Sequence, residues 1–246
     1  MRGGLVLLVA VSSLAAPGVA HAGRSFFGWL QGAEVMPERS VELQNWVDET
    51  NKVEEQGERS ESRWGVGPMI GITDQLELFL PLNIVWGRTP GMGGSTSLYD
   101  YGVEARYRLV SQDPEDAPPF APMIRANVER LVLARDVIRP EVGFVSNYEA
   151  GSVVIGVDIS VAANVSRDDQ HYESRSGAGV SVLVGSDFRL GAEVFAQVSL
   201  DDKGASWAVA GPNLSWTHGR FWVSATYGIG VYQIKDAPRM QWGIAF

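Results

Sequence analysis

The sequence contains no cysteine, so neither a disulfide bond nor a thiolate metal site contributes to its stability or chemistry. Beyond residue 22 it also lacks any stretch of about 18 consecutive apolar residues, the length at which a membrane-spanning helix is expected. Histidine occurs only three times, and no histidines have the spacing of metal ligands. These absences exclude a disulfide-braced fold and a helical membrane protein, and no metal site or cofactor is predicted.

Positive charge is also scarce, because 20 lysines and arginines stand against 29 aspartates and glutamates, for a net charge of −9. This balance argues against nucleic acid or anionic lipid as a partner. Glycine, by contrast, is abundant at 28 residues, and the chain carries 8 tryptophans and 7 tyrosines. That mixture suits closely packed strands with aromatic ends better than helices.

The first 22 residues have the parts of a secretory signal peptide. Arg2 supplies the positive start, residues 5–10 form an apolar run, and Ala20-His21-Ala22 matches an A-x-A cleavage site. The apolar run is too short for a spanning helix, which needs about 20 residues. We therefore expect residues 1–22 to be removed near Ala22-Gly23 and the mature chain to be exported.

Apolar and polar residues alternate along most of the remaining chain, which is the pattern of strands with one apolar and one polar face. The pattern predicts about twelve strands, at 39–49, 59–73, 75–87, 97–110, 120–133, 136–148, 151–164, 171–185, 187–200, 205–217, 220–232 and 237–246. In the third strand, for example, Leu76, Leu78, Leu80, Leu82, Ile84 and Trp86 alternate with Glu77, Phe79, Pro81 and Asn83.

A membrane offers no hydrogen bonds to a sheet edge, so a sheet that crosses it has to close on itself. We predict an all-β fold, a closed antiparallel up-and-down transmembrane β-barrel at residues 39–246, preceded by a periplasmic N-terminal segment at 23–38. The alternative is a soluble β-sandwich, whose core strands would alternate in the same way. The even strand number predicts that both chain ends lie on the periplasmic side.

Connection lengths are predicted to differ between the two sides of the barrel. The tight turns at 73–74, 149–151, 186–187 and 218–219 are assigned to the periplasm, and the longer connections at 51–58, 87–96 and 166–170 to the outside. Two connections depart from this pattern. The segment 111–119 is long where a short turn is expected, and 135–136 is short where a loop is expected.

The last strand ends on an aromatic residue, with Met240, Trp242, Ile244 and Phe246 on one face. In this it resembles the Gram-negative outer-membrane β-barrel proteins, whose final strand carries an aromatic-terminated signal for the barrel-assembly machinery. The resemblance implies an outer-membrane location, an assembly signal formed by Trp242, Ile244 and Phe246, and surrounding lipid and lipopolysaccharide as partners.

A second resemblance covers about residues 33–86. The segment Gly71-Ile72-Thr73-Asp74-Gln75-Leu76-Glu77-Leu78, preceded by Ser40-Val41-Glu42-Leu43, is similar to a hairpin of small outer-membrane proteins described as phenol-degradation-pathway transporters. The similarity implies a transport function and identifies no substrate, because the rest of the chain carries no further motif of that family.

Charges of both signs are predicted on the inner face of the barrel. The candidates for lining the lumen or a constriction are Glu77, Glu104, Arg106, Arg108, Arg125, Glu129, Arg139 and Glu141. They either form a salt-bridge network that plugs the lumen or a charged constriction that screens solutes, and twelve strands fit both. The function predicted is a narrow channel or transporter for small solutes, and the alternative is a non-transporting structural or interaction barrel.

No catalytic residues are predicted. After signal removal only His171 and His218 remain, and a histidine in a solvated loop is far commoner than a catalytic one. His171 lies in an acidic segment with Asp168, Asp169 and Glu173, whereas His218 lies in a predicted tight turn. The segment Gly91-Met92-Gly93-Gly94 lacks the lysine and the strand-to-helix context of a phosphate-binding loop.

Deleting Phe246 should reduce the yield of inserted barrel, because the deletion removes the terminal aromatic residue of the proposed assembly signal. The measurement is heat-modifiable gel mobility of membrane fractions, in which folded barrels migrate differently before and after boiling. An unchanged yield of folded barrel would remove the basis for an assembly signal at this position.

Overall fold

The computed structural model describes residues 25–54, 57–88, 94–113, 115–132, 134–201 and 203–246, so the predicted signal peptide lies outside the described residues. None of these residues forms a helix long and apolar enough to cross a membrane. The strands are β1 Val41–Glu54, β2 Gly57–Gly71, β3 Leu76–Phe79, β4 Leu82–Arg88, β5 Ser95–Arg108, β6 Phe120–Leu131, β7 Ile138–Ala150, β8 Val153–Val165, β9 Gln170–Leu183, β10 Phe188–Ser199, β11 Trp207–His218, β12 Phe221–Tyr232 and β13 Ile234–Ala245.

The strands form one antiparallel sheet that closes because β1 pairs with both β2 and β13. β3 and β4 share one position in this wall, between β2 and β5, and are separated at Leu80 and Pro81. The wall stays bonded across the break, because Leu80 N donates to Pro68 O at 3.1 Å and Gly102 N donates to Pro81 O at 3.0 Å. The prediction of a closed twelve-strand barrel is therefore confirmed, with its third strand divided in two.

We call the end of the barrel where β1 begins and β13 ends the proximal rim, and the opposite end the distal rim. The distal connection between β1 and β2 is only residues 55–56, because Glu54 pairs with Gly57. The long loop predicted at 51–58 is therefore wrong. A strand pair that extends beyond a membrane meets water on both faces, so its charged residues do not indicate a loop. The proximal connection 109–119 is longer than the distal connection 200–206, and length does not distinguish the rims.

The two faces of the wall have the predicted chemistry. Outward-facing side chains such as Leu80, Val103 and Val142 are exposed apolar groups, whereas inward-facing Glu77, Arg106 and Arg125 are buried. Aromatic residues form a belt on the outer face near the proximal rim: Tyr107, Phe120, Tyr148, Phe188, Trp216 and Phe221. Such belts are typical of the interface between hydrocarbon and water.

We call residues 25–38 the N-terminal segment. It lies inside the barrel as far as Met36 and reaches the proximal rim at Glu38, which is exposed. Phe27, Leu30, Val35 and Met36 of this segment are almost completely buried. They contact three apolar areas of the inner wall. Phe27 and Leu30 pack in the area of Phe195, Trp207, Val209, Ile234 and Ala237. Met36 packs in the area of Trp46, Met69, Phe79 and Ala245, and Val35 in that of Ala121, Met123 and Val145. The sequence predicts a periplasmic segment at residues 23–38, and no pattern in it predicts this docking.

Glycines of the inner wall make room for the segment. A β-carbon added at Gly156 or Gly179 would lie 2.5 or 2.6 Å from ring atoms of Phe27. A β-carbon at Gly177 would lie 2.4 Å from a methyl carbon of Leu30. These contacts are too short for any other residue, so part of the high glycine content provides space for aromatic and aliphatic side chains in the lumen.

The inside-outside assignment can be tested on β6. Ile124 faces outward near the middle of the strand, and replacing it with Arg should destabilise the inserted barrel by about 2–4 kcal/mol. The matched control is Asn127→Arg on the same strand, which places the charge in the polar lumen. Urea unfolding from lipid vesicles measures both, and equal losses for the two variants would contradict the assignment.

Candidate functional site in the barrel lumen

A cavity of about 1080 Å³, which includes space open to solvent, lies inside the barrel between the N-terminal segment and the distal rim. Trp29 and Gln31 of the segment form its floor, and Lys52 and Glu61 lie toward the distal rim. The segment fills the lumen on the proximal side. The cavity and the N-terminal segment therefore occupy successive parts of the lumen, with the cavity on the distal side.

The cavity wall carries a network of buried ion pairs whose centre is Arg106 and Arg125. These two arginines are direct neighbours on β5 and β6, and Glu104 lies between them. Arg106 hydrogen-bonds to Glu104 and donates to Glu77 at 3.1 Å, while Arg125 lies 3.6 Å from Glu104. The shared carboxylate offsets the repulsion between two like charges that the strand register brings together.

The network continues around the barrel to β7, β8 and β9. Arg125 lies 2.7 Å from Glu141 and 3.4 Å from Asp158. Arg139 contacts Glu173 and lies 3.9 Å from Glu129, which also accepts a hydrogen bond from Asn127. Arg175 links these two parts of the network, because it lies 3.7 Å from Glu141 and 3.1 Å from Glu173. Seven of the eight predicted lumen candidates therefore belong to one connected group on β3 and β5–β9.

The remaining candidate, Arg108, has a different partner. Its guanidinium donates to the carbonyl oxygens of Ala33 at 3.1 Å and of Ser111 at 3.4 Å. Arg108 therefore holds the N-terminal segment. Glu173 and Arg175, in contrast, join the network although they were not among the candidates. The alternation along β9 was the available signal, but the acidic residues before Glu173 had suggested an external segment.

Aromatic residues also line the cavity, and they are not among the predicted lumen candidates. The rings of Trp29, Phe195 and Trp207 lie 5.0–5.6 Å apart, and the Arg239 guanidinium carbon lies 5.0 Å from the Trp29 ring centre. Alternation with Glu193 and Gln197 indicated that Phe195 faces inward. No alternating pattern identified Trp29 as a residue of the lumen, because the N-terminal segment is not a strand.

Carboxylates of the barrel hold the backbone of the N-terminal segment. The Glu193 carboxylate accepts hydrogen bonds from the backbone nitrogens of Gly28, Trp29 and Leu30 at 2.7, 3.1 and 3.2 Å. The hydroxyl of Thr226 donates to the same carboxylate. Because the segment is neither helix nor strand, its backbone donors need partners from elsewhere, and hydrogen bonds to a charged group are the stronger kind.

Two further carboxylates repeat this arrangement. Asp158 accepts from Gln31 N at 3.2 Å, and Glu77 accepts from Met36 N at 2.7 Å. Both carboxylates also pair with arginines of the lumen network. The ion-pair network and the docking of the segment therefore share residues, so replacing Asp158 or Glu77 would alter both.

The two histidines lie at opposite rims, and each pairs with one carboxylate. His171 Nδ1 lies 2.6 Å from Asp201 at the distal rim, and His218 Nδ1 lies 2.9 Å from Asp187 at the proximal rim. At the distal rim Lys203 also contacts Asp169, and this hydrogen bond and charge lower the pKa of Asp169. Within the described ranges no three histidine or acidic side chains are placed to hold a metal ion.

Sequence comparisons identify no relatives of this chain. No protein-family profile matches it, and no curated protein sequence matches it.

Solved structures do resemble it. An outer-membrane channel of Pseudomonas putida F1 has a TM-score of 0.65 at 9% identity, covering 87% of this chain and 98% of the channel. The β domain of the Bordetella autotransporter BrkA has a TM-score of 0.56 at 10% identity, covering 85% and 100%. The NanC porin has a TM-score of 0.51 at 10% identity, covering 84% and 98%. At these identities the likeness concerns the fold alone, and the chain has the fold of outer-membrane β-barrels.

Proposed function

We propose that the protein is an outer-membrane channel for small solutes, closed toward the proximal rim by its N-terminal segment. The observation that carries the proposal is the polar cavity, which lies in the lumen on the distal side of the docked segment and has Trp29 and Gln31 of that segment as its floor. A lumen built only for stability has no need of a solvent-accessible cavity lined by charged side chains.

The outside of the barrel supports a membrane location. Its wall is a closed hydrogen-bonded sheet, and its exposed side chains are mostly apolar, as a lipid environment requires. We assign residues 1–22 to a signal peptide and the proximal rim to the periplasm. Ile244 and Phe246 lie on the outer face, where the barrel-assembly machinery would meet the proposed signal of Trp242, Ile244 and Phe246. The similar Pseudomonas putida structure is itself an outer-membrane channel.

The N-terminal segment suits the role of a gate because it contributes no strand to the wall. The pairing of β1 with β13 and β2 closes the barrel without it. Many of its hydrogen bonds run to side chains, such as Glu193, Asp158 and Glu77. Detachment of the segment would therefore open the lumen without breaking the sheet.

The salt-bridge network favours a second candidate, a structural barrel without transport. Arg125 contacts three carboxylates on three strands, and such a group can brace the wall for stability alone. In that case the lumen would stay impermeable even without the segment. The two candidates therefore predict opposite results for one experiment.

Deleting residues 25–36 should raise the single-channel conductance of the protein in planar bilayers severalfold, because the deletion removes the floor of the cavity. Heat-modifiable mobility would first establish that the shortened barrel folds. A folded deletion variant that conducts no better than the full chain would contradict the channel and support the structural barrel.

Replacing Glu193 with Ala should loosen the segment while leaving the full chain in place. Each lost hydrogen bond to this carboxylate contributes roughly 1.5–3 kcal/mol, so amide exchange at Gly28, Trp29 and Leu30 should accelerate at least about tenfold. Hydrogen exchange followed by mass spectrometry measures this. The control is Glu129→Ala, a lumen carboxylate without a hydrogen bond to the segment. Equal protection of these amides in the wild type and in both variants would contradict the role of Glu193 in holding the segment.

A further inference from the structure

Glu34 of the N-terminal segment carries a carboxylate that is poorly satisfied in the docked position. Asn147 of β7 donates from Nδ2 to Glu34 Oε1 at 3.2 Å. Glu34 Oε2 is shielded from solvent and has no hydrogen-bond partner among the described residues, and the same holds for Asn147 Oδ1. While Glu34 is ionised, two neighbouring acceptors therefore lack a donor.

The charged groups around Glu34 do not compensate its charge. Glu149 of β7 is the nearby like charge, and Arg108 of β5 and Arg189 of β10 are the nearby cations. Both arginines donate instead to backbone carbonyl oxygens, at 3.1 and 3.0 Å, and in the described part of the chain neither forms an ion pair with Glu34. An ionised Glu34 is therefore a partly desolvated anion without a salt bridge, which is a costly arrangement.

Protonation of Glu34 removes these costs. A protonated Oε2 is a hydrogen-bond donor, and Asn147 Oδ1 is the unpartnered acceptor of the same amide that already binds Glu34. The neutral acid is also no longer repelled by Glu149. Burial and the Glu149 carboxylate accordingly raise the pKa of Glu34 from 4.5 to about 7 in the docked segment.

Detachment changes the environment of Glu34, because this residue moves with the segment and not with the wall. In water the pKa of Glu34 returns to the ordinary value of a glutamate. The pKa is thus higher in the docked than in the detached segment, so protonation stabilises docking. This contribution is complete below the ordinary value of 4.5 and is lost as the pH rises through about 7.

We propose that Glu34 makes the docking of the N-terminal segment, and with it the closure of the lumen, dependent on pH. Protonated Glu34 holds the segment against β7, and ionised Glu34 favours its detachment. The segment is therefore docked most firmly in acid and loosens toward alkaline pH. The inference deepens the proposed function by naming how closure is regulated, and it rests on that function only for the statement that detachment opens a channel.

A spin label on the segment measures docking at each pH. The chain has no cysteine, so Gln31→Cys carries the only label, and Gln31 lines the cavity. The mobile and immobile parts of the EPR spectrum give the ratio of detached to docked segment. From pH 5 to pH 8 this ratio should rise at least about tenfold, since one proton changes it by up to about tenfold per pH unit. If the labelled variant does not fold, acrylamide quenching of tryptophan fluorescence in the unlabelled chain serves instead, because detachment exposes Trp29.

Glu34→Gln separates this side chain from the other carboxylates of the lumen. The amide cannot ionise, and it offers Asn147 both a donor and an acceptor, so the rise in the ratio should shrink to less than about twofold. Glu38→Gln is the matched control, because it makes the same change at an exposed carboxylate of the same segment and should keep the full rise. A ratio that does not change with pH, or a rise that survives in Glu34→Gln, would overturn the inference.

Conductance separates this inference from the proposed function. If deletion of residues 25–36 raises the conductance but docking of the full chain does not respond to pH, the switch is overturned and the channel stands. If the segment detaches through Glu34 as the pH rises, but neither alkaline pH nor the deletion produces conductance, the channel is overturned and the pH dependence of docking stands.

Discussion

Closure of the sheet is the constraint on which the rest of the molecule depends. In hydrocarbon an unpaired backbone group costs several kcal/mol, so the first and last strands have to pair, as β1 and β13 do from Glu42 and Ala245 onward. Closure in turn creates an inside, and strand alternation assigns every second side chain to it. The apolar residues that would form the core of a soluble protein face outward here.

The inside is consequently polar and enclosed, and its charges have to satisfy one another. Cross-strand neighbours do so, with Glu104 between Arg106 and Arg125. The N-terminal segment lies in the lumen near the proximal rim, and Phe27, Leu30 and Met36 of the segment pack against the apolar areas of the inner wall. Carboxylates such as Glu193 and Glu77 belong to the wall, yet they accept the backbone hydrogen bonds of the segment. The lumen and the segment are therefore stabilised together.

Much of the barrel could be predicted because a period of two residues is a strong signal. This period correctly assigned Leu80 to the outer face and Glu77 to the inner face, and it placed the charged candidates together on the inner face. The docking of residues 25–38 could not be predicted in this way, because a segment without regular structure has no period. The apolar run Phe26-Phe27-Gly28-Trp29-Leu30 was the available signal, since such a run rarely stays in water. Glu173 was misjudged because neighbouring acidic residues outweighed its place in the alternation.

The central claim is that the docked segment closes the lumen, and a reversible cross-link tests it most directly. A β-carbon at Gly28 would lie 2.8 Å from that of Thr226, which is shorter than the roughly 3.5–4.5 Å of a disulfide, so the segment has to move away from β12 slightly for the bond to form. The chain has no other cysteine to interfere. Single-channel recording of the Gly28→Cys, Thr226→Cys variant should show a closed pore when oxidised and openings after reduction. Openings of equal size and frequency in both states would contradict the account.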